Sequence, residues 1–439
     1  MKKFFLVLLL IISVMFPVIA DDAFSSQYRS ASLLAQGGVR GPLATGVEAL
    51  FTNPAGIVRE NELMFPNING SLYINYSPLT IPILQDMLTG GGDYSYDPQP
   101  ESSYSSYDEA YNDGYQDAQN SQEGFLGIIS PEKIGPILRA ADYKNGVGGN
   151  VGLNVGVAYA GAAVGGYFSS DMLFEKSSTS ANVDFTYVSE TALSAGLSYK
   201  LGMGGSALYV GASANKIWQV ISKKTITEDD VEKYVDGTYE MGDTPAILGE
   251  GIGFNAGAIL KTGPLMVSVA VNNILGTALA TSSGTLDEAL SIGFFGSQDA
   301  DSFEQYFIPP LTGDSSGKLT IPMSMDVGVG IQQGLGKIFN IQLAAEYTHI
   351  FKFTETENAL NNTIWKNVHV GGAVDLFDTV SVRAGLNQGY FTTGFGVKFI
   401  EFFNLIDIEF NATYYARELG SFAGHRQGEA MICDITFTI

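Results

Sequence analysis

Positive charge is scarce in this sequence. Lys and Arg total 23 of 439 residues against 46 Asp and Glu, a formal net charge of −23. Phosphate contacts need clustered Lys and Arg, so nucleic-acid binding is excluded. One cysteine, Cys433, leaves no internal disulfide framework and no Cys-based zinc site. There are three histidines, His349, His369 and His425, and no Gly-rich loop of the nucleotide-binding type. No catalytic constellation emerges, so no enzyme, metal or cofactor is expected. Charged residues make up 16% of the chain, against ~25% in typical soluble proteins. Beyond residue 20 no run of ~18 apolar residues occurs, so no membrane-spanning helix is expected. Glycine, tyrosine and phenylalanine are plentiful at 52, 22 and 27 residues, which argues against a wholly disordered chain.

Residues 1–20 read as a cleaved secretory signal. Lys2 and Lys3 supply the charged end, Phe4 to Phe16 is almost wholly apolar, and Ala20 is a small residue suited to cleavage. Asp21 stands where a lipoprotein signal needs cysteine. An exported chain without an apolar helix is either soluble outside the cytoplasm or a β-barrel. Periodicity decides between them.

The chain from about residue 68 onward alternates. Ile406, Ile408, Phe410, Ala412 and Tyr414 share one face, and Asp407, Glu409, Asn411, Thr413 and Tyr415 the other. Val380, Val382, Ala384 and Leu386 oppose Ser381, Arg383, Gly385 and Asn387. Side chains of a strand alternate faces, so this is period-2 amphipathicity. About fourteen such strands are countable, and single-chain outer-membrane barrels have even strand numbers. The expected fold class is all-β, a transmembrane antiparallel barrel.

Connection lengths test this independently. Such barrels carry short periplasmic turns and longer outer loops in alternation. Long connections fall at 77–146, 219–250, 274–321, 354–363 and 416–429. Tight ones fall between them, as at Thr262-Gly263 and Phe377-Asp378. Only 388–389 is unexpectedly short for an outer link. Proline agrees: Pro264 and Pro322 sit at strand starts, where a missing ladder donor costs least, and none follows Pro322. The competing reading, a secreted soluble β-protein, needs a partner sheet to cover the outward faces.

Two segments differ. Residues 93–123 hold eight acids and no Lys or Arg, with six tyrosines between Tyr94 and Tyr115. They read as a solvated surface loop, with divalent-cation binding as the alternative. Residues 21–66 lack the strand pattern. Fourteen strands enclose a bore wider than side chains alone fill, so this segment is expected to plug the lumen. The expected division is therefore signal 1–20, hatch 21–66 and barrel 67–439.

The hatch carries Gly37-Gly38-Val39-Arg40-Gly41 and, further on, Asn53-Pro54-Ala55-Gly56. From Ser30 to Ile57 it resembles the N-terminal hatch of the FadL-type long-chain fatty-acid transporters of the outer membrane. The likeness extends to the signal peptide, strand number and length. A PorV-like secretion-associated branch shares much the same motif. The resemblance implies a monomeric fourteen-stranded barrel plugged by its N-terminus. It also implies passive uptake of hydrophobic molecules through a side opening in the wall. Where many relatives carry an acidic pair, this chain has Gly46-Val47-Glu48-Ala49.

Several residues are candidates for roles. Asp375, Arg383, Lys398, Asp407 and Glu409 fall on inward faces, because Arg or Lys facing lipid costs ~2–4 kcal/mol at the midplane. They form either an ion network that anchors the hatch or a seat for a substrate carboxylate. Asn53, Pro54, Ala55 and Gly56 form the hatch motif. Gly165-Gly166 in the third strand marks either a kink for a lateral opening or ordinary glycine abundance. His349 is assigned outward with Tyr347 and Phe351, His369 inward with Asp375, and Cys433 outward.

The reading is a bacterial outer-membrane channel for hydrophobic compounds such as long-chain fatty acids. Its expected partners are outer-membrane lipid, the barrel-assembly machinery and the hydrophobic solute, with no nucleic acid. The alternative is a secretion-associated, structural or adhesive barrel without transport. The loop alternation predicts that residues 93–123 face outward. Protease added to intact cells should cleave there, and cleavage only after lysis contradicts the orientation.

Overall fold

The structure is a computed structural model that describes residues 30–74, 147–176, 183–227, 230, 241–295, 318–335, 338–350, 364–377, 379–402, 406–418 and 427–438. The signal segment, the acidic segment 93–123 and the connection 354–363 lie outside the described residues. Sixteen strands run in order: β1 (Glu62–Ile74), β2 (Val147–Tyr159), β3 (Ala162–Lys176), β4 (Val183–Met203), β5 (Ser206–Ile226), β6 (Pro245–Thr262), β7 (Leu265–Asn272), β8 (Thr277–Thr285), β9 (Lys318–Ile321), β10 (Ser324–Leu335), β11 (Phe339–Tyr347), β12 (Val368–Leu376), β13 (Val380–Asn387), β14 (Tyr390–Phe402), β15 (Ile406–Glu418) and β16 (Gln427–Thr438). Helices α1 (Ala31–Ala35) and α2 (Gly46–Phe51) precede them, and α3 (Leu286–Phe295) follows β8.

Fourteen of these strands, β1–β7 and β10–β16, close into one antiparallel ring. The last strand seals it against the first, with Met64 opposite Thr438 and Tyr73 opposite Ala430. The extra pair, β8 and β9, continues β7 and β10 beyond breaks at 273–276 and 322–323. The wall begins at Glu62, ahead of the boundary at 67 that periodicity suggested. The connections 219–250 and 274–321 are shorter than expected as loops, because β5 runs to Ile226, β6 starts at Pro245, and the second span contains β8, α3 and β9.

Closure explains the period-2 code. On β2, Val151, Leu153, Val155 and Val157 are exposed while Gly152, Asn154, Gly156 and Ala158 are buried. On β16, Met431 and Ile435 are exposed, and Ile432 and Asp434 are buried. Apolar side chains point out and mostly polar ones point in, the reverse of a soluble protein. A closed ring leaves no free edge, and the apolar belt lies in hydrocarbon. The protein is an outer-membrane β-barrel.

Turns identify the two ends. Ala160-Gly161 joins β2 to β3 with both φ angles positive, the mirror-image turn that suits strand twist. That end also holds Gly204-Gly205 and Thr262-Gly263, and short turns mark the periplasmic side. At the other end Gln388-Gly389, also both positive in φ, is the short outer link between β13 and β14. Strands β4 and β5 are 21 residues each, against the ~9–11 needed to cross. They project outward, and there α3 covers their former lipid face. Leu286 and Ala289 bury Phe174, Phe185, Tyr187, Val220, Ala246 and Leu248.

The alternation yields a prediction. Phe395 on β14 is exposed in mid-strand, so Phe395→Arg should lower folding stability in bilayers by ~2–4 kcal/mol. Inward-facing Lys398→Ser, three residues away, should change it by under about 0.5 kcal/mol. Urea titration of folding into lipid vesicles measures both.

Candidate functional site

The lumen is occupied by residues 30–59. This stretch has little regular structure: α1, α2 and a 3-10 turn, Pro54–Arg59. Its amides are buried away from water and need partners. The wall supplies them from nearly every side. Asp434 on β16 accepts from Ala31 N–H at 2.9 Å, and Thr413 on β15 donates to the Ala31 carbonyl at 2.8 Å. Thr392 on β14 accepts from Gly37 N–H and donates to the Ala35 carbonyl. His369 on β12 meets the Gly37 carbonyl at 2.8 Å through Nδ1. Glu346 on β11 takes the N–H groups of Arg40 and Gly41 at 2.6 and 3.0 Å. Glu62 on β1 takes Val47 N–H at 2.9 Å. Ser213 and Ser198 donate to the carbonyls of Leu50 and Ala55. Carboxylates accepting amide hydrogens make charge-assisted bonds, each worth about 1.5–3 kcal/mol.

The Asn53-Pro54-Ala55-Gly56 stretch sits at the centre of this seat. Asn53 is fully buried, extended in backbone, and caps the 3-10 turn through Oδ1 to Ala55 N–H at 3.2 Å. Its amide group donates to the Gly41 carbonyl at 3.3 Å and to Val269 of β7 at 3.5 Å. A side chain at Gly257 of β6 would overlap Asn53 Oδ1, so glycine there lets the motif touch the wall. Pro54 follows with its fixed φ as first residue of the turn. Ala55 packs on Tyr209, Ile259 and Met266. Gly56 lies so close to the Ala44 carbonyl that a Cβ would overlap it.

The five charged residues read as inward do lie on inward faces, in separate settings. Arg383 is buried and bonds Glu409 at 3.1 Å and Asn411 at 2.5 Å. Asn411 donates to Asp434 Oδ1 at 2.9 Å, and the other oxygen of Asp434 holds Ala31. A relay therefore runs from Glu409 through Arg383 and Asn411 to the hatch. Asp375 stands apart, bonded to Asn340 at 2.9 Å and Ser381 at 2.7 Å. Lys398 is exposed opposite Glu409, and Asp407 is half-buried opposite Thr438 at the periplasmic rim.

Gly165 and Gly166 occupy an unbroken ladder. Gly165 pairs with Gly156 and Ser194, Gly166 with Val155 and Leu193, with constant register on both sides. No bulge interrupts it, and a Cβ on Gly165 would press on the Val155 carbonyl across the strand, 2.8 Å away, with Leu50 of the hatch next to it at 3.4 Å. The wall breaks in the seventh strand instead. Below the break Ala256 pairs with Val271, and above it Glu250 pairs with Ala280, so residues 251–255 face the longer stretch 272–279. Asn273, Leu275 and Gly276 all have positive φ, at 51°, 66° and 76°. Asn255 Oδ1 accepts from Asn273 N–H and Asn273 Oδ1 from the Thr277 hydroxyl, both at 2.9 Å. These bonds hold the irregular backbone. Leu275 is 82% exposed, at the level of the outward-facing Ile252 and Phe254.

His349 corrects its outward assignment. It lies just past β11 with φ 54°, its N–H bonded to Asp326 at 3.0 Å, within electrostatic reach of inward-facing His369. The strand alternation had already ended at Tyr347. Cys433 is exposed on the outward face. Among the described residues no three His, Cys, Asp or Glu side chains converge as a metal site. Sequence reasoning missed the anchors Glu346, Glu62, Thr392, Thr413 and Asp434. Inward parity flags Thr413 and Asp434 as luminal, but nothing local marks their partners.

Apolar hatch residues form a second layer. Val47, Leu50, Phe51 and Ile57 cluster with Tyr167, Ala192, Ile217, Leu279 and Ile321 of the wall. Phe51 meets Tyr167 edge-on, with ring centres 5.1 Å apart. This apolar side of the lumen reaches Leu279 and Ile321, which flank the two breaks.

No family model and no curated protein matches the chain. Solved structures do. A Pseudomonas aeruginosa FadL homologue is 14% identical over 94% of this chain and 98% of its own, with a TM-score of 0.42. The Pseudomonas putida toluene transporter TodX is 11% identical over 94% and 98%, at 0.44. The Ralstonia pickettii toluene transporter TbuX is 11% identical over 93% and 97%, at 0.43.

Glu48 of α2 offers a pH test. Burial pushes its carboxyl up to about 8, Glu62 and Asp434 adding to the effect, and its Oε1 has no hydrogen-bond partner. The raised value means no penalty below the unfolded value near 4.5. The penalty grows between pH 4.5 and 8 and is complete above. Glu48→Gln should thus raise the melting temperature at pH 9 and leave it nearly unchanged at pH 4.5, followed by heat-modifiability on gels. Arg383→Ala should cost about 1.5–3 kcal/mol by stranding Glu409 and Asn411. Denaturant unfolding of the hatch reads that loss.

Proposed function

We propose that this protein is a passive channel for uptake of hydrophobic compounds such as long-chain fatty acids. The carrying observation is the apolar side of the lumen, continuous from Leu50 and Phe51 through Ile217 to Leu279 and Ile321 beside the wall break at 273–276. A hydrophobic solute held there stays out of water and lies next to an irregular stretch of wall at lipid level, which we take as its exit to the bilayer. The many hydrogen bonds from wall to hatch close the polar remainder of the bore. Displacement of Asn53-Pro54-Ala55 would free Gly41, Val269 and Gly257 together, coupling hatch movement to the wall near the break. Passage needs no energy source, since burial of apolar surface drives each step. The single chain closes the ring, so a monomer suffices. A solute carboxylate would find Arg383 already engaged by Glu409, which favours the anchoring role for that residue.

Two measurements test the reading. Deleting residues 24–55 should leave an inserted barrel with larger conductance in planar bilayers; unchanged small conductance contradicts the plug. Deleting Ile274, Leu275 and Gly276 restores one register with β6. This variant should still insert, while uptake of a fluorescent long-chain fatty acid into proteoliposomes falls at least tenfold. Undiminished uptake in an inserted variant refutes the exit at β7.

A further inference from the structure

The periplasmic mouth holds three cations that form no ion pair among the described residues. Arg59 ends the hatch, and its guanidinium donates to the carbonyls of Pro42 and Ala44 at 3.0 and 2.8 Å. Its other nitrogen lies 3.4 Å from the sulfur of Met266. Met266 is the cross-strand partner of Lys261 on β6, and Lys261 feels the positive charges of both Arg59 and Lys200. Lys200 on β4 pairs with Tyr209 and holds its ammonium 5.8 Å above that ring. Tyr209 and Ile259 are buried against Ala55 of the hatch, which fixes their face as inward. Lys200 and Lys261 share that face by register. Lys200 is exposed and Lys261 half-exposed, and neither forms an ion pair among the described residues. Glu60 is the acidic neighbour of Arg59 in the chain, and it is exposed and makes no ion pair with it. In a chain with twice as many acids as bases, two lysines at one mouth with no ion pair among the described residues are conspicuous.

The rim beside them has a notch. The β2–β3 turn stops at Ala160-Gly161, and pairing between β3 and β4 ends at Ala162 opposite Leu197. The β4–β5 hairpin continues beyond it to Met203 and Ser206. The step leaves a shallow, open depression lined by Ala160, Ala162, Leu197, Tyr199, Val210 and Gly211. Leu197 and Tyr199 are exposed on the lipid face, while Lys200, next in the chain, faces the mouth. An apolar groove in the bilayer and ammonium groups just inside the rim together suit an amphiphile lying through the notch.

We propose that this notch binds a singly charged anionic amphiphile, its chain in the Leu197–Tyr199 groove and its headgroup between Lys200 and Lys261. Two ammonium groups with no ion pair among the described residues, one of them over the Tyr209 ring, favour a carboxylate or a phosphate diester through charge-assisted bonds. Tyr209 and Ile259 floor the headgroup position and exclude water from one side. Arg59 contributes charge only, since its donors already hold hatch carbonyls. The site rests on the rim geometry alone and does not require that the barrel transports anything.

The test uses the full-length protein in nanodiscs and a sixteen-carbon fatty acid bearing a diazirine. Photolysis followed by peptide mass spectrometry should place adducts on residues 197–211. The double variant Lys200→Gln/Lys261→Gln removes two exposed charges, and heat-modifiability checks its fold. It should lower adduct yield there at least fivefold, while the uncharged methyl ester labels both proteins equally. A second arm repeats this with diazirine-bearing phosphatidylglycerol, with phosphatidylcholine as control. Charge-dependent loss with the acid alone identifies a carboxylate ligand; loss with phosphatidylglycerol alone identifies a membrane lipid. Equal yields from variant and parent in both arms, or adducts spread evenly around the outer wall, overturn the proposal. Transport fails or survives separately, in the proteoliposome uptake of the β7 variant.

Discussion

Buried backbone amides of the hatch govern this structure. Residues 30–59 lie in a barrel without enough helix to satisfy their own N–H and C=O groups. Each group left unpaired in such a place costs about 1–3 kcal/mol. The wall therefore has to present acceptors and donors at matching heights on many strands at once. Glu346, Asp434, Glu62, Thr392, Thr413 and His369 do this, and the register of each strand is tied to the hatch as well as to its neighbours. Glycines complete the fit from the other direction. At Gly371 a Cβ would collide with the carbonyl of Gln36, so the wall there is bare backbone against bare backbone.

The same requirement separates the lumen into two sides. Hydrogen-bonding anchors on β11, β12 and β14–β16 fasten the first half of the hatch. Its second half, where Val47, Leu50, Phe51 and Ile57 are buried, meets a larger apolar area on β2–β6 beside the hydrogen bonds of Glu62, Ser198, Ser213 and Val269. Directional bonds have fixed geometry, whereas apolar contacts are non-directional and tolerate sliding. The side by which a hydrophobic molecule would pass is thus also the side that gives way most easily. The break in β7 stands on that side.

The barrel was legible because period-2 alternation is local and repeats in every strand. Closure, strand number and the alternation of loops all follow from it, and so does the inward placement of Arg383, Lys398, Asp375, Asp407 and Glu409. What was not legible depends on contacts between distant residues. Nothing near Glu346 reveals that Arg40 and Gly41 will need it, some 300 positions away in the chain. Gly165-Gly166 left a bend and ordinary glycine abundance equally open; both residues sit in ladder of constant register, with Gly165 packed against the Val155 carbonyl. The irregular stretch Asn273–Gly276 has one glycine and two other residues at positive φ, of which Asn273 is held by side-chain bonds, a pattern with no compositional signature. His349 misled for a related reason: alternation holds only while the strand lasts.

The described wall is not of one height. On one side β4 and β5 are about ten residues longer than a bilayer requires, and their outer part is buttressed by α3. Across the bore β13 and β14 turn back at Gln388-Gly389, directly after the lipid-facing Leu386 and just before Phe391. Among the described residues the outer edge of the wall is therefore oblique, like a cup cut on the slant. A molecule drifting in the outer leaflet would meet the low lip at membrane level, while one arriving from bulk water would meet the tall back wall. On such a slant the bilayer surface itself would be a place from which the bore is reached.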